Sequence, residues 1–194
     1  MRTAGIILAA GESRRMGRPK AFLPFRDGTF LSTLAETFAP FCWPVVAVFG
    51  FDGDAAARLA PPGVTPVINR QYRNGMLTSL QAGLRALDLS ATNRVLFTLV
   101  DHPAVSPQTL ARLLETHAEI AIPRVDGKRG HPVLVNRDIA AAFLREPETA
   151  MVRDVIDRNA DRILYVDVND PGISDDVDDP SLYEALLARE AARF

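Results

Sequence analysis

The chain has 194 residues, with 22 basic and 24 acidic side chains and a formal net charge of -2. With 47% hydrophobic and 24% charged residues, this is ordinary globular composition; it excludes a disordered tail and offers no global basic field to recruit nucleic acid or an acidic membrane. One cysteine, Cys42, excludes an internal disulfide and any multi-cysteine zinc site.

The length suits one domain over residues 1–194. The opening MRTAGIILAAGESRRMG lacks a signal peptide's long apolar stretch and small-residue cleavage site. No apolar run approaches the ~20 residues needed to cross a bilayer. A cytoplasmic, membrane-free protein is expected.

In chain order, residues 5–10, 45–49, 64–68, 95–100, 119–122 and 163–168 read as strands. The first (GIILAA) and fourth (VLFTLV) are almost unbroken apolar runs, as expected of parallel strands buried on both faces. Leu77, Leu80, Leu84 and Leu87 recur at helical spacing, as do Leu110, Leu113 and Leu114. Ser106 followed by Pro107 suits an N-cap and first helical position. Leu182, Tyr183, Leu186 and Leu187 predict a closing amphipathic helix. Residues 127–132 read as a turn into an extra strand at 131–135, a small hairpin on one edge. This alternation predicts an α/β fold, a Rossmann-like, doubly wound, mostly parallel sheet.

The loop after the first strand, Leu8-Ala9-Ala10-Gly11-Glu12-Ser13-Arg14-Arg15-Met16-Gly17-Arg18-Pro19-Lys20, leaves the strand end where open α/β sheets bind ligands. Small residues let a ligand approach the backbone, whose N–H groups can cradle phosphate. Four cations concentrate there in a net acidic chain. It is not a Walker A loop, because Gly11 and Gly17 are one residue too far apart and Arg18 follows; a Gly-x-Gly-x-x-Gly is also absent. Composition alone leaves a solvated arginine loop open.

The pattern LAAG-x-S-x-R-M-G-x-x-K closely resembles the signature of small nucleotidyltransferases of the molybdenum cofactor cytidylyltransferase and guanylyltransferase group. The resemblance implies that Leu8, Ala9, Ala10 and Gly11 hold the nucleoside while Arg15 and Lys20 hold the triphosphate and act in catalysis. Arg14 and Arg18 fall at positions the pattern leaves free.

The later motifs follow in family order. Asn69, Tyr72, Gly75, Ser79 and Gly83 match the family's Asn-turn-Gly-Met-x-x-Ser-Leu-x-x-Gly segment, placing Asn69, Gly75 and Ser79 at the nucleotide. Read as residues only, Thr78 and Ser79 serve equally well to satisfy a helix's first turn. Asp101-His102-Pro103 follows the fourth strand; by resemblance Asp101 is a catalytic carboxylate holding Mg2+, where the family often has Gln in place of His102. The rival is a turn cap, common for Asp before Pro. Gly127-Lys128-Arg129-Gly130-His131-Pro132 resembles the Gly-x-Arg-Gly-His-Pro turn, implying that Arg129, Gly130 and His131 face the acceptor. The bland alternative is an exposed basic hairpin tip.

Near the end, Asp176, Val177, Asp178 and Pro180 match Asp-Ile/Val-Asp-Thr-Pro, which makes Asp178 the second metal ligand. Asp179, Ser181 and Leu182 depart from the pattern. A calcium loop from Asp167 fails because Pro171 takes a ligand position and Asp178 replaces the long bidentate Glu. Glu148–Arg153 lacks the glycines that relatives carry, though Arg153 matches the family Arg.

The resemblance implies a magnesium-dependent transfer of NMP from an NTP to a phosphate-bearing acceptor such as molybdopterin or molybdenum cofactor, with loss of pyrophosphate. CTP is expected over GTP, because Ala10 stands where guanylyltransferase relatives usually have a second glycine. Rivals are a sugar-phosphate or other small-metabolite nucleotidyltransferase and a non-catalytic nucleotide-binding accessory protein, a chaperone for a molybdoenzyme. A molybdoenzyme or its chaperone is a candidate partner.

Overall fold

The computed structural model describes residues 2–192; Met1 and residues 193–194 lie outside the described part of the expected 1–194 unit. The strands are β1 (Thr3–Ala9), β2 (Pro24–Phe25), β3 (Gly28–Thr29), β4 (Val45–Phe49), β5 (Val64–Ile68), β6 (Arg94–Leu99), β7 (Ile120–Val125), β8 (Lys128–Arg129), β9 (Val133–Asn136) and β10 (Ile163–Asp167). The helices are α1 (Phe30–Phe38), α2 (Gly53–Arg58), α3 (Met76–Arg85), α4 (Pro107–Glu115), α5 (Arg137–Arg145), α6 (Val152–Asp157) and α7 (Pro180–Ala191).

The main sheet runs β10-β7-β9-β6-β1-β4-β5, with β8 paired to β7 and the β2–β3 hairpin apart. β1 lies between β4 and β6, parallel to both. Its alternation explains the winding: Ile7 faces α1, α4 and α7 through Leu34, Leu110 and Leu186, while Ile6 and Leu8 face α3, α5 and α6 through Leu80, Phe143 and Val155. A strand without polar side chains from Ala4 to Ala9 needs cover on both faces, and helices supply it. Ser106 accepts from Thr109 N at 3.3 Å with Pro107 at the first helical position, as the sequence indicates.

One expectation is corrected. A hairpin does form between β7 and β8, but the strand that follows, β9, is not at an edge. It runs antiparallel between β6 and β7, so the chain doubles back into the sheet interior. Val133, Leu134 and Val135 are buried there; their short apolar run suits an interior position, which no strand-level pattern distinguishes from an edge.

That excursion brings His131 and Gly130 against the short helical turn Pro171–Ser174, which precedes the acidic segment. His131 N donates to Ile173 O at 2.8 Å. A Cβ on Gly130 would lie 2.1 Å from the same carbonyl oxygen, and one on Gly172 would lie 2.4 Å from Ala104 O. Backbone therefore packs on backbone on both sides of this turn. Gly130→Ala should cost about 1–3 kcal/mol, the usual range for forcing a methyl into a filled site. Urea denaturation should show it as a lowered midpoint at unchanged slope.

Candidate active site

The C-terminal ends of β1, β4 and β6 open into a cavity of about 610 Å³. Its walls include Leu8, Ala9, Ala10, Gly11, Arg15, Lys20, Gly75, Ser79, Asp101 and Asp178. Ten of the sequence-derived site residues thus converge on one space. The loop after β1 turns through Ser13, at φ 50°, whose Oγ accepts from Lys20 N at 3.0 Å. This contact closes the loop and points Lys20 inward.

At the floor, Lys20 Nζ donates to Asp101 Oδ2 at 2.9 Å and to Asp178 Oδ1 at 2.5 Å. Arg15 donates to the other oxygen of Asp178. Asp178 arrives because Val177 N donates to Asp101 O at 3.1 Å, laying the acidic segment across the end of β6. Asp176 completes the cluster: one oxygen from each of Asp101, Asp176 and Asp178 lies within 4.8 Å of the others.

The electrostatics follow from this crowding. Hydrogen bonds from Lys20, opposed by burial and reinforced by Arg15, hold the Asp178 carboxyl below the usual range. Burial, then repulsion from Asp101 and Asp178, pushes Asp176 up. Burial opposes the Lys20 charge, yet Asp101 and Asp178 outweigh it and raise its pKa. Three oxygen donors suit a hard divalent cation. Asp101 Oδ1 fits that reading: it is buried and has no hydrogen-bond partner among the described residues.

The wall formed by Gly75 and Ser79 rests on hydroxyl and amide contacts. Asn69 is buried behind the wall rather than lining it; its Nδ2 donates to Thr78 Oγ1 at 2.9 Å and Ser79 Oγ at 3.0 Å. Thr78 in turn donates to Gln71 O and Gly75 O, so it secures the turn, while Ser79 lines the cavity. Gly75 sits at φ 119°, which a side chain would strain.

The acceptor residues fare differently. Arg129, Gly130 and His131 do not line this cavity. Arg129 is exposed, 3.8 Å from Asp157. Gly130 is consumed by packing, and the His131 ring turns inward, 4.9 Å from His102 and against Phe97. Burial, then His102, pushes its pKa down to about 3. Arg153 is exposed and pairs with Asp157 within α6. Two functional candidates escaped the sequence reading. Asp176 was visible as the first Asp of Asp-x-Asp. Glu12 accepts from Arg14 Nε at 2.5 Å, Tyr72 OH at 3.2 Å and Arg73 Nε at 3.0 Å, tying the β1 loop to the far wall; no local signal marks it.

Residues 5–163 match the family model described as MobA-like NTP transferase domain. The chain belongs to that family. It is a nucleotidyltransferase of the MobA-like group, similar at 30% identity, over 87% of this chain and 93% of the relative, to the molybdenum cofactor cytidylyltransferase of Escherichia coli K12. It is also 33% identical to the nicotine blue oxidoreductase of Paenarthrobacter nicotinovorans, over 90% and 91% of the two chains. The crystal structure of Rv0371c from Mycobacterium tuberculosis H37Rv in complex with manganese superposes with a TM-score of 0.76 at 26% identity, covering 97% and 99% of the chains. Among the described residues, no helix is long and apolar enough to cross a membrane.

A depressed carboxylate pKa stabilises the folded state above the unfolded value near 4, and that contribution is lost as pH falls through the folded value. Removing Lys20 removes the first cause of the Asp178 shift. The stability difference between wild type and Lys20→Met should therefore shrink as pH drops from about 6 to about 3. Chemical denaturation at each pH would measure it, and a gap that widens in acid would contradict the pairing.

Proposed function

We propose that the protein, acting as one domain, transfers NMP from an NTP to a phosphate-bearing acceptor such as molybdopterin or molybdenum cofactor, releasing pyrophosphate. The carrying observation is Lys20 spanning Asp101 and Asp178 at the floor of a cavity whose other end is small residues and backbone. The E. coli relative's name supports the acceptor class, and the manganese in the mycobacterial structure supports a divalent ion.

An acceptor phosphate oxygen attacking the α-phosphorus in line needs no protein nucleophile. The protein's part is positioning and charge. Leu8 to Gly11 present backbone to the nucleoside. Ser79 accepts from Asn69, which leaves its own proton for the base or ribose. Arg15 and Lys20 exchange their carboxylate partners for triphosphate oxygens. Asp101 and Asp178, with Asp176, would hold Mg2+, which when bound neutralises triphosphate charge and polarises the phosphoryl group.

The relative named as an oxidoreductase favours a second reading, redox chemistry in the same cavity. Pyrophosphate separates the two, since redox turnover releases none. With NTP, magnesium and candidate acceptors, pyrophosphate should appear with wild type. Asp101→Asn, which keeps shape and removes charge, should lower turnover by at least about 100-fold while the protein stays folded. Wild-type turnover of this variant at limiting magnesium would remove Asp101 from the metal site. Asp175→Asn should instead act on stability, because Asp175 is bound by both terminal nitrogens of Arg189 on α7.

Ala10 bears on the base. It is buried at the cavity wall, where an added methyl relative to glycine narrows the space available to a purine. Discrimination by about one carbon is worth about 1–3 kcal/mol. At saturating magnesium, CTP should raise the melting temperature more than GTP, and Ala10→Gly should narrow the difference. Greater stabilisation by GTP would defeat the CTP preference alone.

A further inference from the structure

Directly behind the carboxylate cluster lies a polar group that the reaction, as described, does not use. His102 follows Asp101 and is buried at 6% exposure. Its Nε2 faces Asp101 Oδ1 at 3.8 Å, and that oxygen is the buried one without a hydrogen-bond partner among the described residues. Asp101 Oδ2, by contrast, is held by Lys20. One oxygen of the carboxylate is held by Lys20, and the other faces an imidazole.

The imidazole itself is held firmly. Its ring lies 4.9 Å from the His131 ring at an interplanar angle of 38°. His131 is anchored in turn by the 2.8 Å bond from its backbone N to Ile173 O and by contact with Phe97. The Nδ1 atoms of both histidines are buried without partners among the described residues. Three unpartnered polar atoms thus gather in one patch, a costly arrangement unless something uses it. The histidines are not a second metal centre: the only cluster of three candidate ligands among the described residues is Asp101, Asp176 and Asp178.

We propose that His102 is a positioning residue for the divalent-cation site, its Nε2–H directed at Asp101 Oδ1 so that the carboxylate is oriented for the ion. The inference rests on the metal-dependent reading above. At 3.8 Å the contact is longer than a hydrogen bond, so a modest turn of the carboxylate must close it. A neutral imidazole carries one N–H, which suffices for this role. Groups that hydrogen-bond a metal ligand from behind are typically worth 10–100-fold in metal affinity. The His102–His131 contact supplies the rigidity that such an orientation requires.

The test is Mn2+ binding to the full chain, read by loss of the free-ion electron paramagnetic resonance signal, with no substrate present. His102→Phe and His102→Met remove the donor and fill the space, while His102→Gln restores an N–H donor. The Phe and Met variants should bind Mn2+ at least about 10-fold more weakly, and Gln should recover most of that loss. If Phe fails to fold, the Met and Gln pair carries the same comparison, with thermal unfolding to verify folding. Undiminished affinity in a folded donor-free variant would overturn the proposal and leave the nucleotidyltransferase reading intact. Equal weakening in all three would overturn it too, since packing would then be the cause. Failure of wild type to bind Mn2+ would overturn the proposal together with the substrate-free metal site it rests on.

Discussion

Three carboxylates with oxygens within 4.8 Å of one another repel, and every other feature of this site depends on how that repulsion is offset. Lys20 does most of it. Its ammonium touches both Asp101 and Asp178 and is the largest cause of the lowered Asp178 pKa. Asp176, which has no such contact, moves the other way. The strength of a charge pair rises as water is excluded, and Lys20 and Asp101 side chains are only 11% and 16% exposed. An exposed pair of the same geometry would contribute little.

The offset works only because two distant stretches of chain are fixed relative to each other. Lys20 comes from a loop after β1, and Asp178 lies 158 residues further on. The loop is set by the Ser13–Lys20 bond. The acidic segment is set by Val177 on Asp101, by the glycine contacts at 130 and 172, and by Asp170. That side chain is buried and accepts from Ser106 N, Thr109 Oγ1 and Gly172 N. The acidic segment is thus set by backbone contacts at Val177 and the two glycines together with one buried carboxylate, Asp170.

Much of this was legible in the sequence, for identifiable reasons. β1, β4 and β6 are short apolar runs buried on both faces, and such runs announce themselves without partners. The loop residues were legible because cations and small residues are rare together at a strand end. What stayed hidden was relational. The 131–135 run looks the same whether it closes a hairpin or enters the sheet between β6 and β7, and its placement decides where His131 points. Read as a motif, the Arg-Gly-His turn faces the acceptor. In the fold its glycine packs on the Ile173 carbonyl and its histidine ring packs on Phe97 and His102, outside the lining of the cavity. Asp176 was visible as a residue but not as a neighbour, because a proximity of 4.8 Å to Asp101 is a tertiary fact.

The two ends of the cavity follow different physical rules, and this bears on how the site tolerates change. At the β1 end, Ala9, Ala10 and Gly11 offer mainly backbone, whose donors and acceptors are independent of side chain; only bulk is constrained. On the proposed reading, base selectivity there is bounded by what one methyl is worth. At the carboxylate end, the constraint is charge balance. Two cations and three carboxylates leave one net negative charge when all are ionised, so a substitution of either sign changes the affinity for cation and triphosphate together. Neutralising Lys20 deepens the repulsion among the carboxylates, and neutralising Asp101 frees Lys20 to stay on Asp178. Coupled groups of this kind do not contribute additively, so no single residue at this end has a separable share of the chemistry.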